Sequence, residues 1–129
     1  MEECNSKPTP VLEEPLAKDT DGDPFTEEWK YSEVVGMRLY LANNSRPDIA
    51  YAVRQCARFT HDPKHSHGEA VKQIIRYLQG TKDKGIALKP DGSKGIDCYV
   101  DADFAGLWKS EDAQDPVSVK SRTGYLITF

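Results

Sequence analysis

The chain is poor in the residues that build metal centres and disulfide frameworks. Only three of its 129 residues are cysteine. Cys4, Cys56 and Cys98 are odd in number and too widely spaced for a C-x-x-C pair, which excludes a thiolate zinc knuckle and a disulfide scaffold. Cys56 and Cys98 fall in apolar patterns and are expected to be small core residues. The only histidines, His61, His65 and His67, lie close together, but no fourth ligand is local, so a closed zinc site is not expected. No apolar run approaches the roughly 20 residues that a membrane-crossing helix needs. Met1-Glu2-Glu3-Cys4 has neither the basic start nor the apolar stretch of a signal peptide. A soluble, intracellular chain with no membrane partner is therefore expected. No Gly-rich phosphate loop with a following Lys-Ser or Lys-Thr is present. Thr20-Asp21-Gly22-Asp23 lacks the remaining ligand positions and the closing glutamate of a calcium loop.

Charge is present in quantity and segregated. The net charge of −4 conceals ten acids against Lys7, Lys18 and Lys30 in residues 1–37. Residues 38–94 hold eleven Lys and Arg against five acids, and residues 95–129 hold six acids and three bases. A basic middle between acidic ends suits a segment that faces a phosphate backbone, where Lys and Arg release condensed counterions. Ordinary solvated helix faces account for the same residues equally well. By itself the acidic chain is expected to bind nucleic acid weakly.

Residues 1–25 contain Pro8, Pro10, Pro15 and Pro24, are rich in acids and poor in apolar residues. They are expected to form an extended, mobile arm. A first helix is expected over 27–42, with Thr26 as N-cap and Tyr31, Val34, Met37 and Leu41 as its apolar stripe. A second starts at Pro47, whose missing N–H costs nothing there, with Ile49, Ala52, Val53, Cys56 and Ala57 on one face. His61-Asp62-Pro63 breaks it. A third runs over 66–79 with Val71, Ile74, Ile75 and Leu78 inward and Gly80 as C-terminal cap. Arg54 and Arg58 share one outer face, Lys72 and Arg76 another.

After Gly80 the apolar period changes from 3.6 to 2. Strands are expected over 85–89, 96–103 and 121–129, with a turn at Pro90-Asp91-Gly92-Ser93 and a loop over 107–116 anchored by Trp108. On the middle strand Asp97, Asp101 and Asp103 share one face, Cys98, Val100 and Ala102 the other. Carboxylates do not belong in a core, so that face must meet solvent, a cation or a basic partner. Oxygen ligands of this kind suit Mg²⁺, and paired ions can drive phosphodiester hydrolysis. The last strand exposes Tyr125, Leu126, Ile127 and Phe129 along an unpaired edge.

Four blocks resemble one family. They are Met1-Glu2-Glu3-Cys4 with Pro8-Thr9-Pro10; Tyr31-Ser32-Glu33-Val34-Val35-Gly36-Met37-Arg38-Leu39-Tyr40-Leu41-Ala42; Arg46-Pro47-Asp48-Ile49-Ala50-Tyr51-Ala52-Val53 with Arg76-Tyr77-Leu78-Gln79-Gly80-Thr81; and Tyr99-Val100-Asp101-Ala102-Asp103-Phe104-Ala105-Gly106 with Lys120-Ser121-Arg122-Thr123-Gly124-Tyr125. In that order they resemble the polymerase polyprotein of copia-type LTR retrotransposons, where reverse transcriptase ends and ribonuclease H begins.

The resemblance implies an α+β chain: an arm at 1–25, a helical thumb and connection segment at 26–84, and the first antiparallel strands of an incomplete ribonuclease H-like sheet at 85–129. It implies RNA-templated DNA synthesis and removal of RNA from RNA–DNA hybrids in the intact element, in the cytoplasm or a virus-like particle. Asp101 matches the first metal-binding catalytic aspartate, and Mg²⁺ is the implied cofactor. The other family ligands and the paired aspartates of the polymerase are absent from this chain, so it is expected to be inactive alone and to hold no Mg²⁺ tightly. Arg54, Arg58, Lys72 and Arg76 are the candidate contacts to an RNA–DNA hybrid, assigned from charge placement, with the remainder of the polyprotein as the missing partner. The alternative is a small nucleic-acid-binding or interaction module formed by the helices alone.

Overall fold

The computed structural model describes residues 5–14, 16–85, 92–93, 95–103 and 122–128. They divide into two compact units, Met1–Lys84 and Gly85–Phe129. The first holds helix α1 (Tyr31–Asn44), a 3₁₀ turn (Pro47–Ile49), helix α2 (Ala50–Ala57) and helix α3 (His65–Gly80). The second holds strands β1 (Asp97–Asp103) and β2 (Arg122–Thr128). The chain is thus α+β, with three α-helices and a two-stranded antiparallel sheet among the described residues.

Helix α1 begins at Tyr31 with Lys30 in the cap position, four residues later than the expected start with Thr26 as cap. The aromatic residues before it explain the delay. Phe25 packs edge-on against Trp29 at 4.6 Å and against Tyr31 at 5.5 Å, while its N–H bonds the Pro63 carbonyl at 3.2 Å. Burying that cluster holds residues 25–29 out of a helical turn, an instance of tertiary packing overriding local propensity. The stripe is also rotated from its expected position. Tyr31, Val35 and Ala42 are buried, whereas Met37 is 56% exposed.

Helices α2 and α3 follow their sequence patterns closely. Pro47 opens the 3₁₀ turn that leads into α2, and Ile49, Ala52, Val53 and Cys56 are buried. The Tyr31 hydroxyl donates to the Cys56 carbonyl at 2.9 Å, tying the start of α1 to the end of α2. On α3 the buried residues are His67, Gly68, Ala70, Val71 and Ile74, with Ile75 and Leu78 half-buried. Gly80 is the last helical residue and not the cap. Thr81 takes that position, its hydroxyl donating to the Tyr77 carbonyl at 2.8 Å.

The described residues of the N-terminal segment form no helix, in keeping with its prolines, yet they do not project as an arm. They run antiparallel along α3 for the whole length of that helix. The His65 N–H donates to the Asp23 carbonyl at 2.9 Å, Ser66 Oγ donates to Asp19 at 2.6 Å, and His67 Nε2 meets the Ala17 carbonyl at 3.1 Å. Gln73 Nε2 then donates to the Val11 carbonyl at 2.6 Å, and Ser6 lies over Gly80. Val11, Leu16 and Phe25 pack against the core. A segment with little apolar content is thus held largely through its own backbone carbonyls. The Asp19 carboxylate fills the space beside Gly22.

In the second unit β1 pairs with β2 in the register Asp97 with Thr128, Tyr99 with Leu126, Asp101 with Gly124 and Asp103 with Arg122. Alternation puts Asp97, Tyr99 and Asp101 on one face and Cys98, Val100 and Ala102 on the other. Cys98 is exposed, against the expectation of a core position. Tyr125 (77% exposed), Leu126 and Ile127 are uncovered as well, so neither face of the hairpin is buried. A hairpin with both faces open leaves Cys98 nothing to pack into. The strand expected over 85–89, apart from Gly85, and the loop over 107–116 with Trp108 lie outside the described residues, as does Phe129.

Candidate nucleic-acid interface and the Asp101 strand

The four basic candidates lie on the helical unit in three different environments. Arg54 is exposed on α2, turned away from Val53 and Cys56. Arg58, at the end of α2, donates through Nη1 to Gln55 Oε1 at 3.0 Å and lies over the Phe59 ring at 5.2 Å. Arg76 sits on the outer face of α3, half-exposed. Lys72, one turn before it, is held between two carboxylates. Its ammonium donates to Glu27 at 2.6 Å and to Glu69 at 2.9 Å. The bond from Lys72 holds the Glu27 carboxyl below its usual range, and the Lys72 ammonium is raised, first by Glu27 and then by Glu69.

Glu27, His65 and Glu69 bring three potential ligand atoms within 4.8 Å of one another. The Lys72 ammonium bonds both carboxylates and offsets one of their two negative charges. His67 is not a ligand. Its Nδ1 accepts from the Lys64 N–H at 3.0 Å while Nε2 faces the Ala17 carbonyl, which fixes the Nε2–H tautomer and occupies both nitrogens. Phe59 stacks on its ring at 4.1 Å.

A network missed from the sequence links the turn before α2 to the end of α3. Arg46 Nε and Nη2 grip Asp48 at 3.0 and 2.8 Å, and Nη2 also reaches Thr81 Oγ1 at 2.6 Å. The Tyr77 hydroxyl donates to Asp48 at 2.8 Å. The Arg46 guanidinium, and less strongly Tyr77, hold the Asp48 carboxyl below the usual carboxylate range against the opposing pull of partial burial. Both partners of this network belong to sequence blocks that stood out together. The signal was present as motif spacing and carried no geometry.

Two other features lie away from these four residues. A cavity of about 240 Å³ between the N-terminal segment and helices α2 and α3 is lined mainly by apolar groups, among them Val11, Leu16, Cys56 and Ile74. Burial pushes the Cys56 thiol up to about 11, which keeps it protonated and unreactive near neutral pH. Arg38 Nε is buried without a hydrogen-bond partner, and that burial lowers its guanidinium.

In the second unit Asp101 is exposed at the centre of β1, opposite Gly124, and a side chain added at Gly124 would come no nearer than 3.9 Å to the Asp101 Cβ. The carboxylate therefore stands beside open space and can offer oxygen to a hard cation. Among the described residues no group of three ligands forms around it. No helix among the described residues is long and apolar enough to cross a membrane.

No family model matches the chain, and no solved structure does. It is 39% identical over 118 residues to the retrovirus-related Pol polyprotein from transposon RE1 of Arabidopsis thaliana, a match that covers 92% of this chain and 8% of that protein. It is 46% identical over 100 residues to the Pol polyprotein from transposon TNT 1-94 of Nicotiana tabacum, covering 77% of this chain and 7% of that protein. It is also 38% identical over 96 residues to the secreted RxLR effector protein 161 of Plasmopara viticola, covering 74% of this chain and 62% of that protein. The chain spans less than a tenth of the two Pol polyproteins.

Proposed function

Because the chain is homologous to a segment of retrotransposon Pol polyproteins, we propose that it is the junction at which the reverse transcriptase of such a polyprotein gives way to ribonuclease H. The observation that carries the reading is the 39% identity to a Pol polyprotein through 92% of the chain, both units included. Support for the position within Pol comes from the change of architecture after Lys84 and from an exposed aspartate at the centre of the first described strand. In the intact element the helical unit would contact the RNA–DNA hybrid through Arg54, Arg58 and Arg76, and Asp101 would hold Mg²⁺.

The ion would polarise the scissile phosphate and the attacking water. Asp101 contributes one anionic oxygen donor, presented on a paired strand that fixes its direction while Gly124 leaves the approach open. The other carboxylates of such a centre would come from other segments of the Pol chain. The test is a Pol polyprotein from tobacco carrying this segment in place of its own. Asp101→Asn should abolish RNA-strand degradation and leave RNA-templated synthesis intact. Retained degradation would remove Asp101 from the chemistry.

A second reading is a nucleic-acid-binding or interaction module formed by the helices. It is favoured by the effector protein, where the matched segment makes up 62% of a far shorter chain. It predicts salt-dependent binding of an RNA–DNA hybrid, with the slope of log K against log salt reduced by roughly 0.9 when Arg54 is replaced by Ala. No binding at low salt would end it.

A further inference from the structure

We propose that Glu27 is an internal competitor for phosphate, holding Lys72 in a closed clamp that a nucleic-acid backbone must open before the α3 face is fully basic. The inference rests on the nucleic-acid reading of the helical unit. Lys72 and Arg76 stand one helical turn apart, so their side chains are neighbours on one face of α3. They would form a two-cation step suited to consecutive phosphates. One of the two is engaged in this structure.

The two arms of the clamp differ in kind. Glu69 lies three residues before Lys72 on the same helix and moves with it. Glu27 comes from the segment before α1, 45 residues away in sequence, and reaches Lys72 at 2.6 Å. Its position is set by tertiary structure. Trp29 Nε1 donates to the Glu27 carboxylate at 3.3 Å, and Trp29 itself is fixed by Phe25 and Tyr31. Lys72 and Glu27 are only 23% and 28% exposed, so the pair is less screened than one on an open surface. A carboxylate delivered in this way satisfies the ammonium as a phosphate oxygen would.

Neutralising Glu27 leaves Lys72 paired only with Glu69, whose side chain is 41% exposed on the same helix, a partner that a phosphate oxygen displaces more readily. The experiment is anisotropy titration of a fluorescein-labelled RNA–DNA hybrid with the full chain over a salt series. Glu27→Gln should steepen the slope of log K against log salt by about 0.9 and tighten binding about 5-fold to 15-fold at about 150 and 50 mM salt respectively, the worth of one recovered phosphate contact. Glu28→Gln, the same change of charge at the exposed neighbouring residue, should give a much smaller gain. Lys72→Ala should leave the parent chain nearly unchanged and cancel the gain in the Glu27→Gln background.

A Glu27→Gln chain that binds as the parent does, or a gain that survives Lys72→Ala, overturns the clamp. Binding by neither the parent nor Glu27→Gln at low salt overturns the nucleic-acid reading itself. Binding by Glu27→Gln alone supports both. Circular dichroism of each variant, matched to the parent, separates a change of affinity from a loss of fold.

Discussion

Replacing Arg46 with Ala removes the centre of the network that joins the turn before α2 to the end of α3. Arg46 makes a forked bond to Asp48 and a further bond to Thr81 Oγ1, with side-chain exposures of 14% for Arg46 and 31% for Asp48. Hydrogen bonds to charged groups contribute about 1.5 to 3 kcal/mol each when well buried. Partial exposure screens this pair, and water can replace the guanidinium at Thr81, so the net loss is about 2 kcal/mol. For a unit of this size that is a fall in Tm of about 10 °C. Urea unfolding followed by circular dichroism at neutral pH measures it, with Arg54→Ala as an exposed control expected to stay within about 0.5 kcal/mol of the parent. The acid dependence is a second reading of the same network. Asp48 has its folded carboxyl value lowered, first by Arg46. Its contribution is complete above the unfolded value of about 3.9 and is lost as pH falls through the lower folded value. The gap between parent and variant should therefore narrow in acid. A loss below about 0.5 kcal/mol at neutral pH, or a gap that widens in acid, would refute the argument.

Two further outcomes test the core and the cysteines. Gly68→Ala should destabilise the helical unit by about 1 to 2 kcal/mol despite the better helix propensity of Ala. The added carbon would lie 2.7 Å from the Phe25 ring, which its aromatic neighbours hold in place; a gain in stability by urea titration would contradict that packing. Iodoacetamide at neutral pH, read by peptide mass spectrometry, should label exposed Cys98 readily and Cys56 only after denaturation. Equal labelling of the two would show that Cys56 is not buried behind Tyr31.

What the sequence made legible depended on periodicity. Helices α2 and α3 were readable because Ile49, Ala52, Val53 and Cys56, and likewise Val71 and Ile74, repeat at helical spacing and are the residues that become buried. The hairpin was readable from the change to a period of two. The start of α1 was not, because Phe25, Trp29 and Tyr31 gain more from mutual packing than from another helical turn, and no local rule expresses that. The lie of residues 5–24 along α3 was hidden for a similar reason. Beside the Asp19 carboxylate and the packing of Val11 and Leu16, its attachments are the carbonyls of Val11, Ala17 and Asp23, backbone groups that leave no trace in residue type. Lys72 looked like Arg76 in sequence, four positions apart on one face. Only the fold reveals that Glu27 has come 45 residues to meet it.

The blocks that carry the family resemblance divide by what they do. Arg46-Pro47-Asp48 and Tyr77 with Thr81 meet each other, so that part of the likeness to Pol reflects the demands of a helical joint and says nothing about reaction chemistry. The Asp101 block is different. Its hairpin buries neither face, so packing within the described residues gives no reason for an aspartate at that position. A two-stranded hairpin is at best marginally stable in water, and one that displays Tyr99, Val100, Tyr125 and Leu126 needs a covering surface. The helical unit therefore owes its architecture to contacts it already contains. The strand unit would gain stability from contacts made outside the described residues and, on the proposed reading, would complete its metal site there. A fold-dependent assay on the helical unit and an activity assay on Asp101 in the grafted polyprotein are for this reason independent tests, and failure of one leaves the other standing.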